Sequence, residues 1–455
     1  MTSSDAPLII SVSGIRGIVG QSLTDDVVRR FAAAFAGFLP AGAAVVLARD
    51  TRPSGEGFAA VVTEALVRAG CRVLNLGVCS TPGAKLMVLE LEAQGAVILT
   101  ASHNPHPWNG LKLIRGDGIF LNAAQAGAVE EAYHRGVDPE RPGGRSEGID
   151  PAAVSRRHLA RILAAVDVDR IRGARLSAAL DPCNGTGGIL IPELLRELGV
   201  RSEVIHGAPD GRFAHEPEPI AANLQDLGAA VGRHGCAVGF AIDPDADRVA
   251  LVSESGEAVG EDYSLALAVQ SVSARRPGPV VTTLSTSQIV TDAAAAHGCP
   301  VILTPVGEVH VVEAMVAEGA AVGGEGNGGV ILTAVDPGRD AAVGVAIILQ
   351  ALAESGRPLS RLVSQLPRYA IEKRKVSCSP AALERAVEGL RRHHPEAFTH
   401  PVQDGIKLYL SGRMECPWIH LRASNTEPVV RTIAESLSRE EAEALCDEAD
   451  LLLRE

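Results

Sequence analysis

The sequence predicts an α/β protein: three related α/β domains in tandem, with mixed, largely parallel sheets, followed by a smaller C-terminal α+β domain. Three observations lead there. Short apolar runs alternate with longer helical patterns up to about residue 369, which suits strands buried on both faces of a sheet under covering helices. The cadence occurs three times, and each time a third strand empties into a loop of unusual composition. From about Ala370 the chain turns more polar, with a basic cluster at 372–375 and an acidic helical pattern at 438–453. A length of 455 residues suits about three domains with an appendage.

The elements follow in order. A helix begins near Thr24, and strands are expected at 44–48, 72–76 and 96–99, with a helix at 57–69 stopped by Gly70. The uncharged stretch 31–48 is long enough to raise the question of a membrane span, but Pro40 and Gly42 divide it into a helix end and a strand. The second block places buried strands at 176–180, 202–205 and 237–242, and the third at 279–283, 300–303 and 320–322. The last block reads as a half-exposed antiparallel sheet with strands at 405–410 and 418–422. Expected domain limits are 1–152, 153–257, 258–369 and 370–455. Open α/β sheets bind ligands at the carboxyl ends of their strands, which directs attention to the loops.

Composition narrows the function classes. Lys and Arg total 42 against 55 Asp and Glu, a net charge of −13, which argues against duplex nucleic acid as the partner. An aromatic content of 3% offers no stacking platform for single strands. A small anionic substrate stays compatible, because local arginines override global charge. Eight cysteines stand singly, none spaced as C-x-x-C, so reduced and mostly buried thiols are expected. The N-terminus lacks the basic region of a secretion signal. The expectation is a cytoplasmic protein with neither nucleic-acid nor membrane partners.

Four loops carry chemistry. The first, 100–105, reads Thr-Ala-Ser-His-Asn-Pro, a serine delivered by a buried strand; a helix N-cap is the alternative. The second, 243–248, reads Asp-Pro-Asp-Ala-Asp-Arg. Three carboxylates at alternate positions repel unless a cation joins them, and an all-oxygen set suits Mg²⁺ or Ca²⁺. Asp243, Asp245, Asp247 and Glu254 fall at EF-hand positions, but Arg248 stands where that loop needs glycine, and strands flank it. The third, 323–329, holds five glycines around Glu325 and Asn327. It formally satisfies G-x-G-x-x-G, but a strand follows instead of a helix, so a flexible loop presenting Glu325 and Asn327 to hydroxyl or amino groups is expected. The fourth, 422–428, reads Arg-Ala-Ser-Asn-Thr-Glu-Pro and is followed by Arg431, a donor set for a phosphate dianion. Arg16 between glycines, and Arg49 and Arg52 after the first long strand, add to an expected anion cleft.

Together these loops resemble those of the α-D-phosphohexomutase superfamily, in the family's order and over essentially the whole chain. The texture is most similar to its phosphoglucosamine mutases. The resemblance implies four domains around a central cleft, with Ser102 as phosphoryl carrier and Asp243, Asp245 and Asp247 holding Mg²⁺ together with the Ser102 phosphate. It implies that Arg16, His103, Lys112 and Arg248 line the reacting centre, and that Arg422, Ser424, Asn425, Thr426 and Arg431 hold the phosphate that is not reacting. Lys112 or a neighbour is expected to act as general acid and base, its pKa lowered by nearby cations. Asn327 and Gly329 depart from the commoner Glu-x-Ser-Gly-His form of the third loop.

The implied activity interconverts sugar 6-phosphates and sugar 1-phosphates through a bisphosphorylated sugar, with glucosamine 6-phosphate as the first substrate and hexose 1,6-bisphosphate as activator. Phosphomannomutase/phosphoglucomutase activity is the alternative. A Mg²⁺-dependent sugar phosphatase and a non-catalytic sugar-phosphate sensor are the readings from other classes; intact Ser102 and the fourth loop speak against them.

Overall fold

The computed structural model describes residues 7–377, 380–402, 404–423 and 429–454, with 380 and 381 as backbone only. The first sheet has seven strands: β1 (Ile9–Ser11), β2 (Gly14–Ile18), β3 (Ala44–Arg49), β4 (Arg72–Val78), β5 (Gly95–Leu99), β6 (Trp108–Arg115) and β7 (Arg145–Gly148). Their order is β1-β2-β6-β5-β3-β4-β7. The second sheet contains β8 (Ser177–Asp181), β9 (Arg201–Val204), β10 (Val238–Ile242) and β11 (Val249–Ser253), ordered β11-β10-β8-β9. The third contains β12 (Val280–Thr283), β13 (Val301–Thr304), β14 (Val322–Glu325) and β15 (Gly329–Leu332), ordered β13-β12-β14-β15. The fourth is antiparallel throughout, with β16 (Ala370–Ser377), β17 (Phe398–Thr399), β18 (Ile406–Tyr409), β19 (Trp418–Ala423) and β20 (Val429–Ser436), ordered β16-β20-β19-β18-β17.

The three α/β sheets share one plan. In β6-β5-β3-β4, β11-β10-β8-β9 and β15-β14-β12-β13, the unit's first strand lies between its second and third, and the third pairs antiparallel with a fourth. The chain therefore turns back after every third strand. The loops that reverse it are 100–107, 243–248 and 326–328, three of the four singled out in the sequence. A crossover helix would carry the chain away from the sheet end; a reversal keeps the loop there.

Local chemistry sets the elements. The helix Asp25–Phe38 starts where the Thr24 side chain accepts from the Val27 N–H, with Asp25 and Asp26 in its first turn. β5 and β10 are buried along their whole length, as their unbroken apolar runs require. One apolar cluster runs through the second and third sheets, and another joins the first sheet (Val46, Ile98) to the third (Val281, Ile331). The last domain has its own core, including Leu390, Ile419 and Cys446.

Two expectations need correction. The second strand of the later blocks is not buried: Arg201 and Val204 of β9 are exposed and most of β13 is half-buried, because both are sheet edges. The segment 323–329 is no flexible loop; Gly323 to Glu325 and Gly329 are ladder residues of a hairpin with a three-residue turn. No disulfide forms among the described residues: the seven cysteines they include are free, and all but the half-buried Cys416 are buried. No described helix is long and apolar enough to cross a membrane.

Candidate active site

The Ser102 loop is built on a buried arginine. Arg52 is fully buried; its guanidinium donates to the carbonyls of Ser102 (2.7 Å), Asn104 (2.6 Å), Pro105 (2.9 Å) and Trp108 (2.8 Å), and to Asp50 Oδ2 (3.1 Å). Thr100 Oγ1 donates to the same Asp50 oxygen and accepts from the Ser102 N–H. This scaffold holds Ser102 in the left-handed region, at φ +50°. A serine pays for such a backbone only when its surroundings impose it, a pattern common at functional sites. Arg52 is thus a loop template and not part of an anion cleft, as the sequence suggested. Arg49 is partly buried, its guanidinium on the Asp50 carbonyl.

The second loop meets the first. Asp243 Oδ1 accepts from the backbone N–H of Asp247 and of Arg248, both at 3.0 Å, which leaves Oδ2 to accept from Ser102 Oγ at 3.0 Å. Ligand oxygens of Asp243, Asp245 and Asp247 all lie within 4.8 Å of one another, and all three side chains are fully buried. Burial and the neighbouring carboxylates Asp247 and Asp245 push Asp243 well above the ordinary range. Burial acts on Asp247 in the same sense, but Arg339, Lys112 and Arg248 overcome it and hold that carboxyl well below. Asp245 Oδ1 and Asp247 Oδ1 are buried without a hydrogen-bond partner. Unpartnered buried carboxylate oxygens beside a serine hydroxyl fit a hard divalent cation.

Cations surround the triad. Lys112 on β6 donates to Asp245 Oδ2 (2.6 Å) and Asp247 Oδ2 (3.0 Å). Burial alone would lower its pKa, but Asp245 and Asp247 raise it above the ordinary lysine value. This reverses the expectation of a lysine made acidic by cations: its nearest neighbours are carboxylates. Arg16 on β2 reaches Asn104 Oδ1 at 2.9 Å; burial and then Arg248 lower it to about 10, so it stays charged at neutral pH. His103 Nδ1 lies 3.3 Å from Ser102 Oγ. Arg248 above all, then burial and Arg16, hold this imidazole neutral far below its usual pKa.

The third loop closes on the same centre through Arg339, which the sequence reading missed. Arg339 donates to Asp247 Oδ2 (2.8 Å), Glu308 Oε2 (3.0 Å) and Glu325 Oε2 (2.5 Å). Its one local signal was the run Asp336-Pro-Gly-Arg-Asp340, which caps the helix Ala341–Ser355 through Asp340. Thr81, also missed, donates to Asp245 Oδ2. Glu325 is 6% exposed, and its other oxygen accepts from the Gly307 N–H. Asn327 Oδ1 is buried with no partner among the described residues.

In the fourth domain Arg422 and Arg431 are direct cross-strand partners on β19 and β20. Like charges so placed repel unless an anion or carboxylate sits with them. Arg422 pairs with Asp404 at 2.7 Å. Asp404 also accepts from the Val306 N–H, so consecutive amides, Val306 and Gly307, tie it and Glu325 to one turn. Ser424, Asn425 and Thr426 lie outside the described residues.

Four segments of the chain match the phosphoglucomutase/phosphomannomutase family, in chain order: alpha/beta/alpha domain I over residues 8–139, domain II over 156–256, domain III over 260–369 and the C-terminal domain over 375–452. A phosphoglucomutase/phosphomannomutase of Thermococcus kodakarensis is 33% identical, covering 97% of both chains. A probable phosphoglucosamine mutase of Methanopyrus kandleri is 34% identical over 96% of this chain and 95% of its own. A solved structure from Burkholderia thailandensis, of a phosphoglucomutase/phosphomannomutase family protein, superimposes with a TM-score of 0.85 at 25% identity, covering 98% of this chain and 97% of that one.

Proposed function

The chain belongs to the phosphoglucomutase/phosphomannomutase family of α-D-phosphohexomutases, intramolecular phosphotransferases, and from that premise we propose that it interconverts glucosamine 6-phosphate and glucosamine 1-phosphate through phosphorylated Ser102. The observation that carries the phosphoserine reading is the 3.0 Å contact of Ser102 Oγ with Asp243 inside a buried carboxylate triad.

In the forward half-reaction the C1 hydroxyl oxygen of the 6-phosphosugar attacks the phosphorus on Ser102 Oγ. The new C1–O–P bond forms as the P–Oγ bond breaks, and the product is the 1,6-bisphosphate. The hydroxyl proton ends on Oγ; neutral His103, with Nδ1 3.3 Å away, is placed to pass it on. The bisphosphate turns, Oγ attacks the 6-phosphoryl group, and the proton returns to the sugar's C6 oxygen. Arg16, Arg248 and Lys112 supply positive charge where the transferring oxygens crowd. Asp243, Asp245 and Asp247 would hold Mg²⁺ there, which when bound neutralises the triad and stabilises charge on the transferring group. Added hexose 1,6-bisphosphate re-primes any serine that has lost its phosphoryl group.

The paired Arg422 and Arg431 suit the distal phosphate, a function that a mutase needs and a phosphatase does not. For the sugar itself, the buried acceptor Asn327 Oδ1 calls for a donor, which a C2 ammonium provides. Hydroxyl donors would serve the alternative phosphomannomutase/phosphoglucomutase reading, which the name of the Thermococcus relative supports. The test is kcat/KM for the 6-phosphates of glucosamine, glucose and mannose, with phosphate release followed in parallel. A clear preference for glucosamine is expected. Comparable rates on glucose and mannose with glucosamine poor would overturn the substrate assignment, and phosphate release without isomerisation would overturn the mutase.

A further inference from the structure

We propose that Asp181, His206 and His215 form a second cation site, of the Zn²⁺ class, which clamps the segment lying against the Ser102 loop. Asp181 ends β8 and is 1% exposed. Its Oδ1 accepts from the Cys183 N–H at 2.9 Å, which leaves Oδ2 for other partners. That single oxygen faces His206 Nδ1 and His215 Nε2, each at 3.0 Å, and the three ligand atoms lie within 4.8 Å of one another. Ligands about 2.0–2.1 Å from a tetrahedral Zn²⁺ sit about 3.3 Å apart, so insertion requires only a small displacement.

The hydrogen-bond pattern independently asks for positive charge at this point. His215 Nδ1 lies 2.8 Å from the Glu216 carbonyl, which can only accept, so Nδ1 carries the hydrogen. A neutral ring would then aim the Nε2 lone pair at a carboxylate oxygen. Either a second proton or a metal ion must lie between them. The bond from Nδ1 to a backbone carbonyl is also the support that ligating histidines commonly have. Two nitrogens and one oxygen select a borderline metal, in contrast to the all-oxygen triad around Asp243. Side-chain exposures of 23% for His206 and 18% for His215 leave a path from solvent and room for a water as fourth ligand. Cys183 Sγ lies 3.9 Å from Nδ1, the other nitrogen of His215, so it is not a ligand in this arrangement.

The position gives the ion a consequence. The segment between the two histidines covers the Ser102 scaffold: the Arg52 guanidinium lies 4.8 Å from the Phe213 ring centroid, and His106 meets the same ring edge-on. A Cβ on Gly211 would fall 2.2 Å from the Thr51 carbonyl oxygen. Thr51 Oγ1 donates to the Asn184 carbonyl at 2.9 Å, so the loop after β8 touches the same wall. A metal joining Asp181 to both ends of this segment would fasten it over the phosphoryl carrier.

The test is Zn²⁺ binding to chelator-treated full-length protein in excess Mg²⁺, by calorimetry and metal analysis, with Co²⁺ absorption as the reporter of ligand type. One equivalent of Zn²⁺ is expected, with a Co²⁺ spectrum of nitrogen and oxygen ligation in a four-coordinate site. His206→Gln and His215→Gln should each weaken binding at least about tenfold, and Asp245→Asn should not. Should either histidine variant fail to fold, the wild-type titration and Co²⁺ spectrum still decide. Absence of stoichiometric Zn²⁺ in the wild-type protein overturns the proposal. So does binding that survives both histidine substitutions and disappears in Asp245→Asn.

Discussion

Ser102 Oγ donates to Asp243 Oδ2 across 3.0 Å, although the two residues stand 141 positions apart and belong to different sheets. The contact follows from repetition. Each residue sits in the loop that reverses the chain between the third and fourth strands of its unit, and Asn327 occupies the equivalent turn of the third. A single α/β plan used three times thus brings together a buried serine, a carboxylate triad and the turn that carries Asn327. Arg339 ties the second turn to the third through Asp247 and Glu325.

Asp245→Asn removes one anionic ligand while preserving shape. It should raise the Mg²⁺ concentration for half-maximal activity at least about tenfold, since an amide is a poorer ligand for a hard cation than a carboxylate. Activity titrated against Mg²⁺ checks this, and an unchanged metal profile would remove Asp245 from the site.

Arg52→Met tests the loop template. Four carbonyls and Asp50 lose their buried donor together, and leaving a buried charge without its partner costs about 3–5 kcal/mol. Urea denaturation should show a lower midpoint, and kcat should fall with it as Ser102 loses its backbone support. An unchanged midpoint would mean that the loop holds its shape without the arginine.

Arg339→Lys keeps the charge but cannot serve three carboxylates with one planar fork. A loss of at least about tenfold in kcat/KM is expected, because Asp247, Glu308 and Glu325 no longer share one donor. Wild-type kcat/KM in a folded Arg339→Lys protein would show that the fork is not needed.

Asp262 gives a pH dependence of stability. Burial, partly offset by Lys373 and the Ser287 N–H, raises its carboxyl to about 7. The folded state thus holds a proton that the unfolded state releases above its ordinary pKa of 3.8. Its contribution is fully present below that value and is lost as pH rises toward 7. Asp262→Asn keeps an acceptor for Ser287 without the charge, so it should flatten this decline and be more stable than wild type at pH 8 by about 1–4 kcal/mol. Urea midpoints at pH 5 and pH 8 measure it; parallel curves for the two proteins would contradict the assignment.

Much of this was legible in the sequence because it is local. Three aspartates in five residues, a serine after a buried strand and five glycines in seven residues are each visible without a fold. What escaped depends on long-range partners. Lys112 was expected to be acidified, yet it meets Asp245 across 133 positions and is held charged. Thr81 reaches the same aspartate across 164 positions. Arg52 looked like an anion ligand because the sequence shows its charge and not the carbonyls it saturates. The edge strands β9 and β13 were misjudged for a related reason: apolar content does not reveal which strand ends a sheet.

The phosphoserine mechanism is tested most directly by charging Ser102. The protein is incubated with hexose 1,6-bisphosphate and Mg²⁺, and its mass and tryptic peptides are measured before and after hexose monophosphate is added. One phosphoryl group is expected, on Ser102, that is discharged to the sugar; Ser102→Ala should take none and lose turnover by at least about a thousandfold with its melting unchanged. Appreciable turnover in folded Ser102→Ala, or a discharged phosphoryl group on another residue, would contradict it.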